Sequence, residues 1–558
     1  MRQLVLLCDG TNNNLTGAAA DTHVVMLAEL LRADPDPQRL VFYDPGVGNP
    51  GELPGITLWD KAQRLGERVD GLAFGRGVFD NIAEGYRFLM RHWRGDDDQI
   101  WLFGFSRGAF TARSIGGLVN RFGVLQPQLG PLVPTLLHLY FSGATPRNEA
   151  ITAQATRLFA QQPERMPCIE FVGVWDTVQT VGTWPFSLRM KARPTLRGKR
   201  FIHVRQALAL DEHRAQFVPR AYAENNGAFD AAGGRSGSLQ QLWFRGAHCD
   251  VGGGYALGRS AIARTPLVWL VSQAVACGLR LRHDGQPLDS EERVAAAAAQ
   301  ALQHATGAPD PVSAGQAPRV VHCQLHATPL WALSGMALRD SRRVAIDDSP
   351  DAQVQMAEHA SVAQWDAQFP RDSVWRRAGL TAWWWGYLVA ALAIAIGLGW
   401  LLLGTPAGVR EALAANWRLQ VWQLSAIFST DGSWWPAVLA FHAPRWAVVW
   451  DCALILCYGY VLATLAARAF AHAAAFNRYG RAVPRLLNLL GRALPVVVIG
   501  DAAENLFTWL TITAGHAGLW WLAWPCRLGM ALGAAAKLAG LAGVLLLIVG
   551  WRALRAPR

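Results

Sequence analysis

Lysine is nearly missing from this chain: it occurs only at Lys61, Lys191, Lys199 and Lys537, although Lys and Arg together number 52. The formal charge of +11 is therefore carried by arginine. No arginine block interleaved with aromatics marks a nucleic-acid footprint, so the excess reads as arginine-rich membrane flanks and no nucleic-acid partner is expected. Cysteine is sparse and scattered (Cys8, Cys168, Cys249, Cys277, Cys323, Cys452, Cys457 and Cys526). No two form a CxxC pair, which argues against a zinc site, and several sit in apolar runs as buried reduced thiols do, the habit of a reducing compartment. A secretory leader is not expected either. The opening MRQLVLLCDGT holds an apolar run too short for a signal h-region and reads as a first buried strand, so export by the standard route is not expected.

Apolar residues are abundant instead, at 52%, with 25 Trp, and the excess gathers after about position 380. A chain of 558 residues exceeds one core. Residues 1–375 are expected to form a catalytic domain and 376–558 a transmembrane region. Four segments there approach the ~20 residues that cross the hydrocarbon core: 382–403, 446–467, 493–514 and 528–551. Trp383, Trp384, Trp385, Trp446, Trp450, Trp520, Trp521 and Trp551 lie near their ends, as interfacial belts do. Arginines crowd before the first segment, between the second and third (Arg468, Arg478, Arg481, Arg485, Arg492) and after the last. The positive-inside bias then predicts a multi-pass membrane protein with its N-terminal domain in the cytosol.

The front of the chain alternates strand and helix. Leu4–Cys8, Leu40–Tyr43, Gln99–Phe105, Ile169–Trp175 and Leu242–Ala247 read as buried strands, and Val78–Trp93 and Ala109–Asn120 as helices. The fold class expected is α/β, a mostly parallel sheet with helices on both faces, followed by a helical membrane region. Asp284–Pro318, rich in Ala, Gly and Pro, reads as an insertion or surface excursion with a short helix near Glu291–His304.

Gly104-Phe105-Ser106-Arg107-Gly108 is the most informative stretch. A buried strand leads in and a helix leads out, the strand–turn–helix of a nucleophile elbow. The tight turn leaves room only for small flanking residues, and it lifts the serine oxygen above the sheet edge. Beside it the helix N-terminus and the N–H of Arg107 can stabilise an oxyanion. A serine nucleophile needs a base, and the base an orienting acid. Asp176, after the strand Phe171–Trp175, fits the acid, with a turn cap as the plain alternative. His248, ahead of Gly252-Gly253-Gly254, fits the base; His203, His213 and His359 compete. Asp250 is a rival orienter that would have to fold back on its own loop. The glycine run lacks the Lys-Ser/Thr of a phosphate-binding loop and reads as a turn. Asp9, Gly10 and Thr11 follow the first strand, where the backbone N–H of Gly10 or Thr11 can supply a second oxyanion donor and Asp9 can be purely structural. No metal or cofactor is required.

Five motifs in order, Cys8–Asn12 (CDGTN), Gly104–Arg113 (GFSRGAFTAR), Gly173–Val178 (GVWDTV), Ala207–Glu212 (ALALDE) and His248–Tyr255 (HCDVGGGY), resemble the phospholipase effectors of type VI secretion over roughly residues 1–365. The resemblance implies an α/β-hydrolase fold and a Ser–Asp–His triad acting on phospholipid esters, which falls on Ser106, Asp176 and His248. The membrane tail departs from that pattern. Three functions therefore compete: a membrane-anchored esterase drawing lipid from the bilayer, a delivered antibacterial phospholipase, and a non-catalytic membrane sensor or channel. The last is motivated by Asp501, Glu504 and Asn505, which share one helix face inside an apolar segment. Such a face reads as a proton, ion or headgroup site, or as interhelical glue with Lys537 as partner. The sequence leaves oligomeric state open.

Overall fold

The structure, a computed structural model, describes residues 1–10, 21–46, 71–142, 145–178, 180–181, 188–189, 195–256, 259–307, 309–312, 315, 321–327, 329–339, 344–346, 349–354, 356–368, 423, 459, 462–471 and 484–555. They divide into two compact units. The first holds 1–212, 217–322 and 339–369, and the second 213–216, 323–338 and 370–558.

The first unit is built on eight strands: β1 (Arg2–Cys8), β2 (Arg39–Asp44), β3 (Asp98–Phe105), β4 (Ile169–Trp175), β5 (Phe201–Ala209), β6 (Gly227–Asp230), β7 (Ser236–Phe244) and β8 (Ala357–Glu358). Their order across the sheet is β8-β7-β5-β4-β3-β1-β2, all parallel, with β6 antiparallel on β7. Parallel strands need crossovers, and helices supply them on both faces. They are α1 (His23–Ala33), α2 (Gly71–His92), α3 (Arg107–Phe122), α4 (His248–Gly252), α5 (Arg264–Ala276) and α6 (Glu291–Thr306), among others.

The period of two along β1 explains the two layers. Leu4, Leu6 and Cys8 face a core with Val78, Ile82, Tyr86 and Leu89 of α2 and Ile115, Leu118 and Phe122 of α3. Val5 and Leu7 face the opposite core, with Leu27 and Leu30 of α1 and Leu267, Leu270 and Val271 of α5. Val294, Ala297, Ala298 and Leu302 of α6 join that second core. The helix expected within the insertion or surface excursion 284–318 thus has its i, i+3, i+4, i+8 stripe buried in the core.

In the second unit, α7 (Ala493–His516) and α8 (Trp520–Arg555) form an antiparallel hairpin. Their seam is glycine-lined. A Cβ added at Gly500 would strike the backbone of Lys537, one at Gly533 that of Glu504, and one at Gly540 that of Val497. The two backbones therefore meet directly, as small residues allow in apolar helices. The outer face carries Leu528, Leu532, Leu545, Leu546 and Val549, each more than half exposed.

Four spans were expected, and the described residues support two. Leu486–Ala514 and Pro525–Gly550 are long and apolar enough to cross a membrane. Leu462–Ala471, at the end of the second expected span, is a shorter apolar helix. The first expected span, with Trp383–Trp385, and all but residue 459 of the remainder of the second, with Trp446 and Trp450, lie outside the described residues.

Candidate functional site

β3 ends at Phe105 and α3 begins at Arg107, so the whole reversal falls on Ser106. Its backbone sits at φ 59°, ψ −122°. The turn is fastened on both sides: the Ser106 N–H donates to Trp175 O (3.1 Å), and Ser106 O accepts from Val178 N (3.2 Å). The flanking glycines are obligatory by packing. A Cβ at Gly104 would overlap the carbonyl of Gly108, and one at Gly108 would overlap the carbonyls of Cys8 and Asp9. Among the described residues only Ser106, Asp176 (φ 38°) and Asp284 are non-glycines at positive φ. Such conformations cost of order 1–3 kcal/mol and persist where surroundings impose them; two of these three are site residues expected from the sequence.

Asp176 caps β4 and is wholly buried. Its N–H donates to Ala207 O (2.8 Å), and its Oδ1 accepts from the N–H of Ala209 (3.0 Å). Oδ2 lies 2.6 Å from Nδ1 of His248. Arg339 completes the set with a forked contact, Nη1 to Oδ1 at 2.6 Å and Nη2 to Oδ2 at 3.2 Å. Burial alone would raise the proton affinity of this carboxyl. The charge of Arg339 and the hydrogen bond and charge of His248 outweigh it and hold Asp176 well below the usual carboxylate range.

His248 opens α4, just beyond β7, and is 4% exposed. Its ring lies 4.6 Å from that of Phe105, the neighbour of Ser106, and 4.9 Å from that of Phe217. Glu212 Oε2 accepts the His248 backbone N–H (3.3 Å). Gly252 has no room for a Cβ because the Phe105 ring occupies that space. The structure thus brings His248 and Asp176 together and seats the His248 ring against the residue that precedes Ser106.

Asp250, the rival orienter, is engaged elsewhere. Its oxygens accept from Ala247 N (3.0 Å), Ser260 Oγ (2.6 Å), and Nδ1 and N of His322 (2.9 and 3.1 Å). Asp9 accepts from Thr22 Oγ1 (2.7 Å), Tyr43 Oη (3.1 Å) and the N–H of Gly10 (2.6 Å). The Gly10 N–H, expected as an oxyanion donor, is therefore turned onto a carboxylate. Thr11 lies outside the described residues. Arg107 is largely buried, which lowers its guanidinium to about 10. His203 bonds Ser238 Oγ within the sheet, and His359 stacks on Phe244. Among the described residues no three His, Cys, Asp or Glu side chains converge to hold a metal ion.

In the helical unit, Asp501, Glu504 and Asn505 are buried on one face of α7. Lys537 Nζ lies 2.9 Å from Asp501 Oδ1 and 2.5 Å from Glu504 Oε2. Gln423 Nε2 donates to Thr508 Oγ1 (2.9 Å) and contacts Asn505 Oδ1 (3.5 Å). Interhelical pairing, one of the two readings of this face, is what the geometry displays.

Arg339 was missed by the sequence reading. It lies 163 positions from its carboxylate, and no local pattern marks it.

An uncharacterized protein of Saccharomyces cerevisiae is 30% identical over 224 residues, 39% of this chain; the match covers 32% of the yeast protein, about a third of its length. A crystal structure of an uncharacterized protein from Pseudomonas aeruginosa aligns with 60% of this chain and 53% of its own, at 16% identity and a TM-score of 0.30. Residues 2–273, which hold Ser106, Asp176 and His248, match the family model described as T6SS, phospholipase effector Tle1-like, catalytic domain, the family its motifs resemble.

Proposed function

We propose that the first unit is a serine hydrolase that cleaves phospholipid acyl esters through Ser106, His248 and Asp176, and that the apolar C-terminal helices hold it at a membrane. The observation that carries this reading is one of placement. Ser106, Asp176 and His248 follow the C-terminal ends of β3, β4 and β7, with the His248–Asp176 pair at 2.6 Å and Ser106 on a strained turn. Loops beyond the carboxyl ends of a parallel sheet are where such sheets put their chemistry.

The His248–Asp176 hydrogen bond supports the following steps. Asp176 is an acceptor, so it takes the Nδ1–H of His248 and leaves Nε2 as the basic nitrogen. Nε2 removes the Ser106 proton as Oγ attacks the ester carbonyl, and the imidazolium returns that proton to the leaving alcohol. Water then cleaves the acyl-enzyme by the same route reversed. The N–H of Arg107, at the start of α3, is the first oxyanion donor. Use of the Gly10 N–H requires its bond to Asp9 to open; Thr11 is the other donor in this reading. The lipid substrate rests on the family description, and so does a second reading, a delivered effector.

The test is fluorophosphonate labelling of the full chain in detergent, wild type against Ser106→Ala, followed by a panel of phospholipids and lysophospholipids. Labelling of the wild type alone, with fatty acid release from lipid, supports the proposal. Equal labelling of both, or none of a folded wild type, removes it. Toxicity on periplasmic targeting that disappears in Ser106→Ala would select the effector reading over the resident enzyme.

A further inference from the structure

The carboxylate of Asp176 is shared. His248 takes one side of it, and Arg339, itself 7% exposed, takes both oxygens from the other. The guanidinium is locked in turn: Nη1 also donates to Ala209 O (2.6 Å), and Nη2 to Phe217 O. Ala209 therefore contributes its N–H to Asp176 and its carbonyl to Arg339. Phe217, whose ring packs on His248, contributes its carbonyl to Arg339. The fork, the carboxylate and the imidazole are thus fixed by the same two backbone segments.

A triad needs only a carboxylate to orient its histidine, and a full cation on that carboxylate has an electrostatic consequence. An unpaired buried carboxylate strongly favours the protonated imidazole beside it. A guanidinium on the same oxygens cancels much of that attraction and adds repulsion toward the imidazolium. It also keeps the carboxylate ionised in a site where burial favours the neutral acid, so the Nδ1–H tautomer of His248 is maintained. The other charged groups around the pair come from neighbouring loops. Glu212 accepts the His248 backbone N–H, Asp250 accepts hydrogen bonds from Ser260 and His322, and Arg107 follows Ser106 in α3. None of these is recorded on the Asp176 oxygens, where Arg339 sits.

We propose that Arg339 is a positioning residue of the hydrolytic site, which pins Asp176 against His248 and lowers the pH at which His248 becomes protonated. This rests on the triad reading above and adds to it a residue from beyond the matched segment 2–273.

The experiment measures kcat/KM for a p-nitrophenyl ester between about pH 5 and pH 9 with the full chain in detergent, for wild type, Arg339→Gln and Arg339→Lys. Ser106→Ala serves as the blank. Arg339→Gln is expected to move the acid limb upward by about one pH unit, the scale of a neighbouring charge, and to lower kcat. Arg339→Lys keeps the charge and loses the fork, so its acid limb stays near the wild-type position while kcat falls. An acid limb unmoved in Arg339→Gln, with only the plateau lowered, would assign Arg339 a merely structural role and overturn the proposal. If Arg339→Gln does not fold, Arg339→Lys decides alone: unchanged kcat, or a limb displaced upward by about a unit, overturns it. Should wild type and Ser106→Ala hydrolyse the ester alike, the triad reading itself fails and this proposal with it. A Ser106-dependent wild type with no response at Arg339 removes this proposal only.

Discussion

The two units bury opposite versions of the same arrangement. In the sheet unit one carboxylate, Asp176, is held by two side-chain donors, Arg339 and His248. In the helical unit one ammonium, Lys537, is held by two carboxylates, Asp501 and Glu504. The backbones differ as well. Asp176 sits at a strand end, where loops bring further N–H groups such as that of Ala209. The groups around Lys537 sit on regular helices, whose N–H groups are already spent on their own ladder, so side chains must settle the charge. A loop-built site can hold a strained, reactive geometry. A helix-built one, closed by glycine backbones, is suited to fixing two segments together.

Removing the central group of each set tests that contrast, and the sheet unit should respond most in rate. Asp176→Asn is expected to lower kcat by about 10⁴-fold by favouring the wrong imidazole tautomer, in steady-state ester hydrolysis. A loss below about tenfold would mean that Asp176 does not orient the base. A second test sets these paired groups against a buried histidine that has no ion partner among the described residues. His23 is 4% exposed, and burial together with the charge of Arg264 lowers it from 6.5 to about 3. Its folded-state value lies below its unfolded one, so the unfolded chain binds the extra proton. Stability is therefore full above about pH 6.5 and falls by about 1.4 kcal/mol per pH unit down to about pH 3. Denaturant titrations at about pH 7.5 and pH 4.5 measure this, and His23→Gln should flatten the difference.

In the helical unit, Lys537→Met removes the ammonium that lies against two buried carboxylates. It should cost about 3–5 kcal/mol, and neutralising all three groups together should recover most of it. Thermal melts in detergent would show both, and an unchanged melt for Lys537→Met would make the trio dispensable. The smallest change is Gly500→Ala, where a methyl meets the Lys537 backbone. A loss of about 1–3 kcal/mol is expected, and none at all would mean that the helices separate without penalty.

The elbow was legible because its signal is contiguous: strand, glycine, serine, glycine and helix follow one another in a dozen residues. Asp176 and His248 were legible because both follow apolar strands. Strand β5 escaped notice because Arg205 and Gln206 interrupt its apolar run. The structure accounts for both: Arg205 bonds Gln273 (2.9 Å) and Ser238 O (3.1 Å), and Gln206 bonds Arg220 O (2.7 Å) and Arg113 (3.1 Å). Buried polar groups with such partners are tolerated where periodicity alone predicts none. The bond of the Gly10 N–H to the side chain of the residue before it is a choice of rotamer that spacing does not encode. Arg339 could not be seen at all, since only tertiary contact joins it to residue 176.

Matched sequence and folding unit end at different places in this chain. The match stops at residue 273, yet the core helix α6, the edge strand β8, the His322 that holds Asp250 and the Arg339 that holds Asp176 all come later. A protein cut at the end of the match would keep its serine, histidine and aspartate while losing a wall of the core, a sheet edge and side-chain partners of two buried carboxylates. Excision at the family boundary should therefore yield an insoluble or inactive fragment, and its inactivity would say nothing about the enzyme. A fair excision has to run at least through residue 368, the last of the helix Ala360–Gln368 that follows β8.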